Sequence, residues 1–270
     1  MINKKLFALA GVTLSLSLSA MSAQVEPLRV AADPVPHAEI LNYIKKIDPK
    51  LDLKVIELTS GVNANELLAH GDVDANYFQH LPYLKDQEKA LGKTFVVAAE
   101  VHIEPLGIYS RKIKALPDLP ENASVAVPNN SSNLSRALIL LQKQGLITLN
   151  ARFTDPSTTL ATPKDIVANP KHLKILEIEA AQLPRSLDDA DLVVINGNYA
   201  LEAGLVPAKD ALGLESADHN PYANLLVTTP ELAHDPRIVA LAKDLTSPQV
   251  RDFIQKTYHG SVIPVQVGHD

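Results

Sequence analysis

Arg136 stands three residues after Asn133 in the run Asn129-Asn130-Ser131-Ser132-Asn133-Leu134-Ser135-Arg136. A strand-like segment precedes this run and a helical pattern follows it. The free N–H groups and positive dipole end of a helix favour an anion. Residues three apart lie on one helix face. Arginine presents a planar fork of donors matched to a carboxylate. Together these features describe an α-carboxylate clamp, though the same residues also read as ordinary helix capping with a solvated arginine.

Three other places carry polar groups suited to a small ligand. Asp74-Ala75-Asn76-Tyr77-Phe78-Gln79-His80 puts two aromatics and an imidazole where a short strand meets a helix. Tyr77, Phe78 and His80 read either as a pocket wall or, for the aromatics, as core. Asn196-Gly197-Asn198-Tyr199 follows a strand, and Asn224 opens another. An asparagine amide both donates and accepts, so Asn196 and Asn224 can hold an ammonium and a carboxylate. Asn-Gly is equally a common turn pair.

Other chemistries find less. His102 and Glu104 are two apart on an extended segment and so share a face. A metal site needs three or four ligands, and the sequence shows no third, so neither metal nor cofactor is expected. No G-x-S-x-G turn and no phosphate-binding glycine loop occurs. An enzyme on this chain, for example a dehydratase acting on a small carboxylate, would have to use His80 or Glu104 as its acid–base group. Neither has a supporting partner visible in the sequence.

The elements that must position these residues are short apolar strands alternating with amphipathic helices. That pattern implies an α/β fold with parallel strands. Strands are predicted over 28–32, 53–58, 72–75, 124–127, 173–178, 191–195 and 224–228, with an extended stretch over 95–109 bent at Pro105-Leu106-Gly107. Helices are predicted over 37–47, 63–69, 77–91, 133–144, 198–203, 237–245 and 248–256. Two αβ blocks are followed by a strand that most simply rejoins the first block. The chain then crosses twice between lobes, near Gly107-Ile108-Tyr109 and near Tyr222-Ala223-Asn224, which makes a hinge and a closing cleft. Ligands in such sheets sit at the carboxyl ends of the strands.

The N-terminus reads as a secretory signal peptide over 1–23. Lys4 and Lys5 precede an apolar run from Leu6 to Leu18, and small residues follow at Ser19, Ala20, Ser22 and Ala23. Beyond it, lobe 1 is expected to comprise 24–108 plus 224–270, and lobe 2 109–223. Apolar residues make up 46% of the 270 and charged residues 21%, which suits a packed core and excludes a disordered chain. Removing residues 1–23 leaves 23 basic against 31 acidic residues, a net charge of −8. That argues against a nucleic-acid partner. The chain contains no cysteine, so the expectation is a periplasmic protein with no disulfide and no lipid anchor.

Several segments taken together resemble one family. They are Pro36-His37-Ala38-Glu39-Ile40-Leu41, Asp74 to His80, Glu104-Pro105-Leu106-Gly107-Ile108-Tyr109-Ser110, Gln182-Leu183-Pro184-Arg185-Ser186-Leu187-Asp188-Asp189 and Ile195-Asn196-Gly197-Asn198-Tyr199-Ala200. In this order they resemble the NlpA-type lipoproteins, methionine-binding receptors of ABC importers. The resemblance implies a type II periplasmic binding fold and a monomeric, non-enzymatic receptor that delivers L-methionine or a close relative to a membrane permease. It further implies that Arg136, helped by Asn133, holds the ligand carboxylate. Asn196 and Asn224 would hold the amino acid head group, and Tyr77, Phe78 and His80 would line the side-chain pocket. Three departures from the pattern stand out: the missing cysteine, the stretch Leu58-Thr59-Ser60-Gly61-Val62-Asn63 in place of a more aromatic one, and Ser135 where glycine is frequent.

Overall fold

The computed structural model describes residues 26–59, 61–153 and 159–265. The predicted signal peptide lies outside the described residues. In chain order the elements are β1 (Leu28–Ala32), α1 (Glu39–Ile47), β2 (Leu53–Glu57), α2 (Ala64–His70), β3 (Ala75–His80), α3 (Leu81–Leu91), β4 (Val96–Ile103) and β5 (Gly107–Tyr109). There follow β6 (Ser124–Pro128), α4 (Ser131–Lys143), β7 (Thr148–Leu149), β8 (Ile166–Ala168), β9 (Lys174–Ile178), β10 (Leu192–Ile195) and α5 (Gly197–Glu202). The last are α6 (Pro207–Asp210), β11 (Gly213–Leu214), β12 (Ala223–Thr228), α7 (Pro236–Leu245), α8 (Pro248–Tyr258) and β13 (Ile263–Pro264).

These strands form two main sheets, ordered β13-β4-β12-β3-β1-β2 and β11-β5-β10-β6-β9. The chain passes from the first sheet to the second through Glu104-Pro105-Leu106, and returns through residues 215–222. Each sheet has its own core. In the first lobe Leu28, Val30, Ile40, Leu41 and Ile44 pack against Leu241, Leu245 and Ile254 of the C-terminal helices. In the second, Val125, Val127 and Val194 pack under Leu138 and Leu141 of α4. Burying a side chain of this kind contributes about 1.5–3 kcal/mol, so each lobe carries its own apolar driving force.

Two expectations change. The sheets are mixed rather than parallel: β12 runs antiparallel to both β3 and β4, and β5 antiparallel to β10. A strand that returns late in the chain has no βαβ crossover to hold it parallel. The second change concerns residues 77–80, predicted as the start of a helix. They extend β3, which pairs with β1 and β12, and the helix begins only at Leu81. Pro82 then sits in the first turn, where its missing N–H costs nothing. His80 caps that helix by accepting the Tyr83 N–H at Nδ1.

Candidate ligand-binding cleft

A cavity of about 520 Å³ lies between the lobes. Both sheets send residues into it: Phe78, His80 and Asn224 from the first, Asn133, Arg136 and Asn196 from the second. Three hydrogen bonds tie the lobes together across it. His80 Nε2 meets Asn133 Oδ1 at 2.9 Å, Asn198 Nδ2 donates to Asp33 Oδ2 at 2.9 Å, and Ser131 Oγ donates to Asp86 Oδ2 at 2.5 Å.

Helix α4 is placed by its cap. Asn130 Oδ1 accepts the Asn133 N–H at 3.0 Å, which starts the helix at Ser131 and turns Asn133 and Arg136 toward the cavity. The Arg136 guanidinium is buried, at 3% side-chain exposure. It does not wait as a free fork. Its Nε and Nη2 donate to the two Glu215 carboxylate oxygens at 3.0 and 2.6 Å, and Nη2 also donates to the Glu104 carbonyl at 2.9 Å. The plane lies 4.2 Å from the Tyr222 ring centroid. Burial works against the charge on Arg136, but the Glu215 carboxylate outweighs it and raises the pKa. Glu215 is likewise opposed by burial and is held below its ordinary range by Arg136. Only Nη1 lacks a partner among the described residues, so the bidentate face expected for a ligand is used internally. Glu215 carried no signal in the sequence, because its pairing with Arg136 spans 79 positions.

The asparagines are arranged differently. Asn133 Oδ1 accepts from Asn196 Nδ2 at 3.2 Å as well as from His80. Since His80 Nδ1 accepts a backbone N–H, its Nε2 carries the proton and donates. Burial, reinforced by Arg136, lowers the His80 pKa to about 3 and keeps the ring neutral. Asn196 Oδ1 is buried and has no hydrogen-bond partner, a costly state for a buried acceptor. Asn224 Oδ1 meets His37 Nε2 at 3.0 Å.

Tyr77 requires a correction. Phe78 borders the cavity, whereas Tyr77 is fully buried in the first-lobe core. There its ring packs edge-on against His37, and its hydroxyl bonds His102 Nδ1. His102 Nε2 in turn contacts Glu104 Oε1 at 2.7 Å, and His37 Nε2 contacts the same oxygen at 3.1 Å. His37 and Glu104 border the cavity, as do Asp33, Tyr83, Gln182, Arg185 and Tyr199. The altered stretch also reaches it, through Leu58, Thr59, Gly61, Val62 and Asn63.

Two α/β lobes joined by two connections, with one polar cleft between them, define a two-lobed solute-binding protein. A model of the NlpA lipoprotein family matches residues 28–266, and the chain belongs to that family. It is 42% identical over 228 residues to the D-methionine-binding lipoprotein MetQ of Escherichia coli strain K12, covering 84% of this chain and 82% of that one. A solved nutrient-binding protein from Burkholderia cenocepacia, bound to methionine, is 45% identical with a TM-score of 0.84, covering 88% of this chain and 100% of that one. An ABC transporter periplasmic substrate-binding protein from Coxiella burnetii is 42% identical with a TM-score of 0.82, again covering 88% and 100%.

These relatives overturn one expectation. The cysteine count suggested a freely diffusing periplasmic receptor with no lipid anchor. The family is one of lipoproteins, and the Escherichia coli relative is itself named a lipoprotein. The expectation of an unanchored protein therefore conflicts with the family to which the chain belongs.

Proposed function

We propose that this chain is the substrate-binding protein of an ABC importer and takes L-methionine or a closely related amino acid into the cleft between its lobes. The observation that carries the reading is a pair of polar atoms with no hydrogen-bond partner among the described residues, on two side chains that line one cavity. Arg136 Nη1 is a cationic donor suited to the α-carboxylate, and Asn196 Oδ1 is a buried acceptor suited to the α-ammonium. In this reading Asn133 and Asn224 orient the head group, while Phe78 and His80 border the side chain. The lobe built on the first sheet and the lobe built on the second close over the ligand, and their closure presents the loaded monomer to a membrane permease.

Binding rather than turnover is supported by the state of the two groups an enzyme would need. His80 is neutral, with both ring nitrogens engaged. Glu104 is pinned by two imidazoles. Neither is poised to exchange a proton with a ligand.

The test is thermal unfolding of ligand-stripped protein against L- and D-methionine, other amino acids and dipeptides. A ligand at about 1,000 times its Kd adds roughly 4 kcal/mol, and Tm moves by about 2–4 °C per kcal/mol at this size. A shift selective for methionine is the expected result. A shift with another compound reassigns the cargo, and no shift with any of them overturns the reading.

A further inference from the structure

His102 and Glu104 share a strand face but leave a metal two ligands short of the usual four. The fold supplies a third from 65 positions earlier in the chain. His37 lies in the turn between β1 and α1, and its Nε2 reaches Glu104 Oε1 at 3.1 Å, opposite His102 Nε2 at 2.7 Å. One ligating atom from each of the three residues falls within 4.8 Å of the others. All three are buried: His37 is 1% exposed, His102 0% and Glu104 5%.

We propose that His37, His102 and Glu104 form a binding site for a divalent first-row transition-metal ion of the zinc class, at the floor of the cleft. Two imidazoles and one carboxylate are a donor set suited to zinc, cobalt, nickel or iron(II). Bonds of about 2.0–2.2 Å place tetrahedral donors roughly 3.3 Å apart. The His37–Glu104 spacing is near that value, and the His102–Glu104 spacing must open by about 0.6 Å. Metal-ligating imidazoles bond an outer partner through their second nitrogen, and Tyr77 Oη stands at His102 Nδ1 for this role. When an ion takes Nε2, the His102 proton moves to Nδ1 and donates to Tyr77. Because His37 and Glu104 border the cavity while His102 sits behind them, the open coordination position points into the cleft.

This site does not depend on which amino acid the cleft takes, and its test uses the metal alone. Full-length protein is stripped with chelator, freed of chelator and titrated with Co²⁺. The expected result is one ion per chain with the visible absorption of a low-coordinate site. Substitutions His37→Ala and His102→Ala abolish it. The exposed control His172→Ala leaves it unchanged, and Tyr77→Phe weakens binding by about 10–100-fold. No visible band in the wild type, or a band that survives both histidine substitutions, overturns the proposal. If the histidine variants fail to fold, X-ray absorption of the Zn²⁺-loaded wild type decides. Two imidazoles in the coordination shell support the site, and one or none refutes it.

Discussion

The two walls of the cleft use similar residues to opposite ends. On the first-lobe wall most polar groups satisfy one another, Asn224 with His37, His37 and His102 with Glu104, and His102 with Tyr77, while His37 Nδ1 stays buried without a partner. On the second-lobe wall the bonding stops short, leaving Arg136 Nη1 and Asn196 Oδ1 without a partner among the described residues on side chains that line the cavity. A closed network fixes shape, whereas an open one keeps bonds for a ligand. Buried polar atoms are rarely left unpaired without a use, so in the proposed function the second wall reads the head group. The first wall keeps a rigid backing for it.

The comparison breaks most readily at Arg136. Arg136→Ala removes the proposed ligand contact and strands the buried Glu215 carboxylate, so it is expected to cost about 3–5 kcal/mol of stability together with methionine binding. Replacing both partners, Arg136→Met with Glu215→Leu, is expected to restore stability in urea unfolding and not binding in calorimetry. Recovery of binding in the double variant would show that the guanidinium is structural only.

Gly197→Ala tests how tightly the connection holds the first-wall network. A Cβ at Gly197 would lie 2.8 Å from Glu104 Cβ and 3.2 Å from its Oε2. Overpacking of this kind costs about 1–3 kcal/mol, and a drop in the urea midpoint without a change of slope is the expected reading. An unchanged midpoint would mean that Glu104 moves freely and that the first wall is not rigid.

Asn196→Ala should act in the reverse way. It removes an acceptor that has no internal partner, and the Nδ2 bond it also removes leaves Asn133 Oδ1 still paired with His80, so the loss of about 1–2 kcal/mol should appear as roughly tenfold weaker methionine binding with only a small fall in Tm of the ligand-free protein. A fall in Tm with unaltered affinity would place Asn196 among the structural residues.

A further test is the pH dependence at Asp33. Burial first, then Glu104 and Glu202, raises this carboxyl from 3.8 to about 7, against the hydrogen bond from Asn198. The folded state therefore binds a proton that the unfolded state has released. Its contribution to stability is present below the unfolded value and is lost as pH rises through the window up to about 7. Asp33→Asn keeps an acceptor for Asn198 and is expected to flatten stability across that window. An unaltered pH profile would remove Asp33 from the groups that load the first wall.

Local pattern carried most of the elements. The Ser124–Val127 strand, the α4 helix and the C-terminal helices follow directly from apolar periodicity, caps and terminal glycine. Gly145, at φ +74°, ends α4 as its position suggests. Pattern failed at residues 77–80, where β1 and β12 impose extension on a segment that reads as helical. Asn133, Arg136 and Asn196 could be singled out because short polar residues at strand-to-helix turns are visible over a few positions. Glu215 and His37 could not, since each gains its meaning from a partner 79 or 67 residues away.

By itself, then, the sequence determined the αβ alternation and the family, because these rest on local periodicity and on segments kept in order. Tertiary structure alone decided which charges are already spent. Whether Arg136 offers a fork or a single nitrogen, whether Tyr77 faces ligand or core, and whether His102 and Glu104 gain a third donor depend on distances of about 3 Å between remote residues. No spacing along the chain encodes those distances, because they are set by how two separately packed lobes meet.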